Sequence, residues 1–178
     1  PASTPSGRFS AKRFNGERDA AIAKYLAMPL APDDLRLMEA MRRDYDYRSR
    51  DAVAPSPKAW FLEGLSWAQM ALDAAKANKT ANRTVTIARD TRKIEPELVE
   101  ALAAAMTYAG LNVEYIAEDN ANVVSSYAWA ATQVRPLMSL FVTSSHVVAD
   151  AGTAIRGVKV SVQDRNGQVV SLTVDEIK

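Results

Sequence analysis

Apolar residues recur at steps of three and four positions along several stretches of the chain, and this spacing predicts amphipathic helices. The stretches are 17–28, 33–43, 58–78 and 95–109. Pro29 ends the first, and the second has acidic residues in its first turn and basic residues in its last, as the helix dipole favours. Gly110 follows the fourth and is expected to cap that helix, because glycine adopts the left-handed backbone conformation without strain.

Short runs of β-branched and other apolar residues separate the later helices and predict strands. The runs are 84–88, 111–116 and 137–143, and a hairpin is expected over 155–172 with its turn at Asn166 and Gly167. A weakly marked helix is expected over 120–132. Because strands that alternate with helices form parallel sheets, the expected fold class is α/β, with a mainly parallel sheet flanked by helices and a C-terminal β-hairpin.

Pro55 and Pro57 interrupt regular structure and mark a boundary in the chain. We expect residues 1–57 to form a basic arm and a helical N-terminal extension, and residues 58–178 to form the α/β domain. Thr173 and Glu176 have the spacing of a capping box, so the last residues are expected to begin a helix that a larger protein would continue.

Composition excludes several classes of protein for this chain of 178 residues. No apolar run approaches the roughly 20 residues that cross a bilayer, so no transmembrane segment is expected. The absence of cysteine excludes disulfides and thiolate chemistry, and the single histidine, His146, leaves no histidine cluster for zinc. A net charge of +1 lacks the strong positive field of a dedicated nucleic-acid binder, so no DNA partner is expected.

Positive charge is concentrated only at the amino terminus, where residues 1–16 carry Arg8, Lys12 and Arg13 and no acidic residue. This composition predicts an extended arm that lies on a partner protein. A remnant of an organelle transit peptide, or an ordinary solvated terminus, would have a similar composition.

Three short motifs carry residues able to bind or transfer a phosphoryl group. They are Arg89-Asp90-Thr91-Arg92, Thr143-Ser144-Ser145-His146 and Gly157-Val158-Lys159-Val160. Arg89 and Arg92 follow a predicted strand, where open α/β sheets place ligands. Each motif alone also has an ordinary interpretation: a charged turn, a hydrogen-bonded turn and an exposed strand lysine.

Taken in order, these motifs resemble the first domain of the α-D-phosphohexomutases, the phosphoglucomutase and phosphomannomutase superfamily. The resemblance extends over roughly residues 61–177, and 166–171 also resembles a segment of one phosphoglucomutase branch. It implies that Ser145 stands at the phosphoserine position, His146 at a neighbouring phosphate contact and Lys159 at the active-site lysine. In that family a phosphoserine passes its phosphoryl group to a sugar phosphate while cations neutralise the transferring charge.

The sequence also departs from the family pattern in two places. Val147 and Val148 stand where the family has Asn-Pro after the histidine, and 44–57, where a glycine-containing motif is expected, has no glycine. The metal loop and the sugar-binding loops belong to three further domains that this chain does not include. No cofactor is therefore expected here, and magnesium would be required only in an active enzyme, with ligands from those domains.

These observations favour a non-catalytic accessory subunit of a larger assembly, with Arg8, Lys12, Arg13, Tyr45 and Tyr47 as candidate partner contacts. Trp60 and Trp67 could contact a partner or pack in the domain's own core. The alanine-rich chain and its basic start suggest a mitochondrial setting, such as an ATP-synthase, respiratory or ribosomal assembly, and otherwise a cytoplasmic one. One alternative is an active mutase domain with Ser145 as phosphoryl carrier. The other is a sugar-phosphate- or nucleotide-binding module without catalysis, with Arg89, Arg92 and Ser145 as its anion site.

Overall fold

The computed structural model describes residues 9–13, 18–42, 47–48, 55–89, 96–118, 134–143 and 157–171. Four helices lie within these ranges: α1 (Arg18–Ala27), α2 (Asp34–Met41), α3 (Pro57–Ala77) and α4 (Pro96–Tyr108). They confirm the four helices that the apolar spacing predicts. The Ser56 hydroxyl caps α3 by accepting a hydrogen bond from the Ala59 amide, and Pro57 occupies the first turn, where its missing N–H costs nothing.

The described strands form one mixed sheet. They are β1 (Phe9–Arg13), β2 (Tyr47–Arg48), β3 (Thr84–Arg89), β4 (Asn112–Glu118), β5 (Met138–Thr143), β6 (Gly157–Gln163) and β7 (Val169–Ser171). The order is β1-β4-β3-β5-β6-β2, and β7 pairs with β6. The central strands β4, β3 and β5 are parallel, and the remaining pairs are antiparallel. The α/β class, with its C-terminal hairpin and preceding helices, is confirmed.

Strands β1 and β2 were not predicted by the sequence pattern. Within the expected basic arm, Lys12 and Arg13 belong to β1 and pair with Tyr115 and Glu114 of β4. This segment therefore lies on a strand of its own chain, a pairing that the composition of the arm did not predict. The physical reason is that a five-residue edge strand is stabilised by main-chain hydrogen bonds to its neighbour, which a side-chain pattern does not reveal.

The two faces of the sheet differ in chemistry. One face packs apolar side chains against the helices in a single core; the sheet contributes Val85, Ile87, Val113, Met138, Leu140, Val142, Val158 and Val160. The other face carries buried hydroxyl groups at Thr86, Ser139 and Ser161. The Thr86 hydroxyl lies 2.9 Å from the Ser139 hydroxyl and forms a hydrogen bond with it across β3 and β5.

Two glycines adopt the positive φ that their predicted turns require. Gly110 (φ 91°) ends α4, and the next residue, Leu111, donates its amide to the Met106 carbonyl at 3.0 Å. Gly167 (φ 77°) lies in the turn between β6 and β7, where the Asp164 carboxylate accepts two backbone amides. Both turns confirm the prediction. The helix expected over 120–132 and the one expected to begin at Thr173 lie outside the described residues.

None of the helices in the described ranges combines the length and the apolar character that a membrane span requires.

Candidate functional site

The ends of β3 and β5 and the start of β6 meet at one edge of the sheet. Since β3 and β5 are parallel, their carboxyl ends lie side by side, and Arg89 pairs with Val142. Strand β6 is antiparallel to β5 and begins where β5 ends, so Gly157 pairs with Thr143. The fold thus brings segments adjoining all three sequence motifs to a single edge, where open α/β sheets bind ligands.

The residues with the strongest predicted roles at this edge are only partly described. Arg89 is the last residue of β3 and is described as strand backbone. Arg92, Ser145 and His146 lie outside the described residues. Thr143 is the last residue of β5, so the serine pair begins immediately beyond the strand end. The roles assigned to Arg89, Arg92, Ser145 and His146 remain predictions.

Lys159 is the one residue of the predicted catalytic set whose side chain the structure describes. It lies in β6 opposite Phe141 and is half-buried. Its neighbours Val158 and Val160 belong to the apolar core, so the alternation of the strand directs Lys159 to the other face of the sheet, with Ser161. Lys159 is therefore two residues from the start of β6, on the hydroxyl-bearing face.

Arg48 is a basic residue at this edge that the sequence did not single out. It belongs to the two-residue strand β2 and pairs with Gly157, which in turn pairs with Thr143. Arg48 and Arg89 therefore lie on opposite sides of the β5 end in the order of the sheet. A strand of two residues has no periodicity to detect, and 44–57 contains two arginines, Arg48 and Arg50, that the sequence pattern does not distinguish.

The predicted partner contacts have mixed outcomes. Arg8 and Tyr45 lie outside the described residues, and Lys12, Arg13 and Tyr47 are described as strand backbone. Trp60 and Trp67 are each 1% exposed and pack with their rings 6.5 Å apart in the helical core. The two tryptophans therefore belong to the core of this domain.

A titratable cluster joins α1 to the first turns of α4. The buried Tyr25 hydroxyl donates a 2.7 Å hydrogen bond to Glu100, and the Lys24 ammonium lies 3.2 Å from the same carboxylate. Burial, reinforced by the carboxylate, raises the pKa of Tyr25, while the tyrosine hydrogen bond lowers the pKa of Glu100. The contact to Glu100 raises the pKa of Lys24. These groups are mutually satisfied, so the cluster fastens two helices together.

Among the described residues, no three histidine, aspartate or glutamate side chains come together as ligands of one metal ion.

No family model matches the sequence, and no curated protein matches it. The search of solved structures found a crystal structure of a phosphoglucomutase/phosphomannomutase family protein from Burkholderia thailandensis, 22% identical in sequence, with a TM-score of 0.55. The match covers 78% of this chain and 28% of that protein. This chain has a phosphohexomutase-like fold.

At 22% sequence identity the likeness is one of fold alone, and it agrees with the fold that the ordered motifs implied. Since the match spans 28% of the length of the Burkholderia protein, activity, substrates and partners do not follow from it.

Proposed function

We propose that this chain is a non-catalytic accessory subunit of a larger protein assembly, built on a degenerate first domain of the phosphohexomutase type. The observation that carries the proposal is the pair Val147 and Val148 directly after His146. Two β-branched apolar residues restrict the backbone and favour extended structure, whereas a serine that donates a phosphoryl group needs a tight polar loop around it. The absence of glycine in 44–57, the segment that contains β2 at the same edge of the sheet, is a second departure from the family pattern.

The assembly itself is proposed on the composition of the amino-terminal region. Arg8 and Tyr45, with the side chains of Lys12, Arg13 and Tyr47, are the residues we assign to partner contacts. A mitochondrial complex, such as ATP synthase, a respiratory complex or a ribosome, is the setting that the alanine-rich chain and its basic start favour.

An active phosphotransferase is the second candidate, and the strand register favours it. Arg89 belongs to β3 and Lys159 to β6, the two strands that pair with β5, and Arg48 belongs to β2, which pairs with β6. The serine pair follows the end of β5. In this alternative a phosphoryl group on the Ser145 oxygen passes to a sugar hydroxyl, and the serine oxygen regains a phosphoryl group from the other position of the sugar bisphosphate. The basic side chains would stabilise the charge on the transferring group.

Phosphoryl transfer to the protein separates the two candidates. The tagged chain is purified from the cells that make it, and its intact mass is measured alongside those of Ser145→Ala and the matched control Ser144→Ala. An accessory subunit keeps its unmodified mass in all three proteins. A gain of one phosphoryl group that Ser145→Ala abolishes and Ser144→Ala retains would establish the enzyme alternative.

The assembly is tested separately by native purification of the tagged chain from the cells that make it. An accessory subunit elutes with stoichiometric partner proteins at a size well above that of the 19.4 kDa chain. Elution as a single species of its own mass would contradict the proposal.

A further inference from the structure

A groove of about 400 Å³ lies between α2 and α3. Its apolar lining includes Leu30, Leu35, Met38 and Leu62. Leu35 is 72% exposed and Leu30 is 39% exposed, so apolar side chains at the mouth of the groove are left in water. Exposed leucines that flank an open groove are typical of an interaction site.

A buried carboxylate lies in the same groove. The Glu63 side chain is only 10% exposed. Both of its carboxylate oxygens accept hydrogen bonds from one nitrogen, Arg42 Nη2, at 3.4 Å (Oε1) and 3.3 Å (Oε2). These contacts are longer than the 2.7–2.9 Å of ordinary charge-assisted hydrogen bonds, and a carboxylate has about four acceptor positions. The Arg42 side chain is 40% exposed, so water also solvates its guanidinium group. Glu63 therefore retains capacity to accept hydrogen bonds from a cation that enters the groove.

The charged side chains that line the groove sum to one negative charge, because Glu39 and Glu63 outnumber Arg42. A complementary ligand thus has aliphatic groups for the leucine-lined wall and a basic group for Glu63. An amphipathic helix provides both, since residues three and four apart project from one face. A free alkylamine could reach Glu63 but would leave most of Leu35 uncovered.

We propose that this groove binds a basic amphipathic helix of a partner protein, with aliphatic side chains against Leu30, Leu35 and Leu62 and a lysine or arginine of the partner at Glu63. The proposal names the partner chemistry for the accessory subunit suggested above and rests on that function. It assigns the main contact to the groove between α2 and α3 rather than to the basic amino-terminal segment, part of which pairs with β4.

The first test uses a synthetic helical peptide with leucines at steps of three and four and lysines on the flanks of that face. Its matched control carries glutamate in place of every lysine. Fluorescence anisotropy should show that the lysine peptide binds the full chain and that the glutamate peptide binds at least about tenfold more weakly. Equal affinity for the two peptides would overturn the charge assignment to Glu63.

Three variants locate the binding surface. Leu35→Asp should lower the affinity for the lysine peptide by about tenfold or more, because it removes an apolar contact. Glu63→Gln should lower this affinity by about fivefold, because it removes the negative charge that the peptide's lysine contacts. Val170→Asp, which changes a 43% exposed aliphatic residue on β7, should leave binding unchanged. Unfolding midpoints confirm that the variants are folded. Unchanged binding to Leu35→Asp, or binding of octylammonium at Glu63 without binding of the peptide, would overturn the assignment to a partner helix.

Size-exclusion chromatography of cell extracts distinguishes failure of the groove from failure of the proposed function. The native chain and Val170→Asp should elute in the assembly, whereas Leu35→Asp should elute as the free chain. If Leu35→Asp stays in the assembly, the groove is not the contact although the accessory role stands. If the native chain itself elutes free, the accessory role fails, and the partner proposed here fails with it.

Discussion

The contact between α3 and α4 differs in kind from the contacts that attach α1 and α2 to the rest of the molecule. Gly64 of α3 faces Ala105 and Leu102 of α4, and a β-carbon at Gly64 would lie 2.9 Å from the Ala105 β-carbon. The two helix backbones therefore approach closely through small residues. Here stability depends on shape, because any added volume must displace a packed helix.

Helices α1 and α2 also bury apolar side chains, but specific hydrogen bonds of buried or half-buried polar groups fix their position. Asp34, the first residue of α2, is 1% exposed and accepts hydrogen bonds from the Ala31 amide and from both the amide and hydroxyl of Ser56. The Lys58 ammonium donates to the carbonyls of Tyr25 and Leu26 at the end of α1. The loss of one such group leaves buried partners unsatisfied, whereas nearby exposed polar residues are dispensable.

The largest loss is expected for Gly64→Leu, since the side chain would have to enter the space held by Ala105 and Leu102. We expect the free energy of unfolding to fall by about 3 kcal/mol, measured by urea denaturation. Gln69→Leu, at an exposed position of the same helix, is the matched control and should change stability by less than about 0.5 kcal/mol. Equal stability of the two variants would show that the helices do not meet at Gly64.

Asp34→Ala should reduce the free energy of unfolding by about 2 kcal/mol, because it leaves the Ala31 amide and two donors of Ser56 without their acceptor. Asp33→Ala is the control on the adjacent residue: the Asp33 side chain is 68% exposed and has only a 3.7 Å contact with Arg36. A similar loss in both variants would indicate a general charge effect at the start of α2 and would contradict the specific role of Asp34.

Tyr25→Phe should cost about 1 kcal/mol, since it retains the ring stacked on Phe61 at 5.9 Å and removes only the hydroxyl that donates to Glu100. The control is Tyr108→Phe, the same substitution at a tyrosine that is 54% exposed, and it should be nearly neutral. If the two variants unfold at the same urea concentration, the hydrogen bond between α1 and α4 contributes nothing measurable.

The same distinction explains what the sequence could predict. The apolar spacing identified the four helices of the described ranges, and the predicted ends of α3 (58–78) lie within one residue of those observed. Strands β1 and β2 could not be found in this way, because each is defined by pairing with a strand about a hundred residues away, as between Tyr47 and Val158. A local apolar pattern predicts the secondary structure of its own segment, whereas the pairing of β1 and β2 depends on strands that are distant in the sequence.

For the candidate site, the resemblance implied active-site roles for Ser145, His146 and Lys159, and the register shows that the strands ending at Arg89 and Thr143 and the strand beginning at Gly157 adjoin. Arg48 was missed, because its position follows from the pairing of β2. The role of Asp34 was also missed: a carboxylate at a helix start suggests an interaction with the dipole, whereas this one accepts from Ser56, 22 residues away. A sequence motif can identify a residue type, but the partners of a buried polar group emerge only with the fold.

The smallest effect is expected from Glu100, and pH is the means of detecting it. The hydrogen bond from Tyr25 lowers the pKa of Glu100 in the folded chain, so the carboxylate contributes stability above its unfolded pKa, and this contribution is lost as pH falls through the folded pKa. The Glu100 side chain is 41% exposed, and solvent screening should keep the contribution below about 1 kcal/mol. The stability difference between the native chain and Glu100→Gln should therefore be present at pH 7 and shrink as the pH falls below the ordinary pKa of a glutamate carboxyl group.

Glu97→Gln is the matched control for this measurement, because Glu97 is 58% exposed and its side chain reaches only Lys24, at 3.4 Å. Its stability difference from the native chain should be smaller and should fall further in 1 M salt, as for an exposed ion pair. If the Glu100→Gln difference does not change with pH, Tyr25 donates to a carboxylate that gains nothing from the contact. In that case apolar burial holds α1 on α4. The polar contacts that distinguish the attachment of α1 and α2 from the α3–α4 packing would then be those of Asp34 and Lys58.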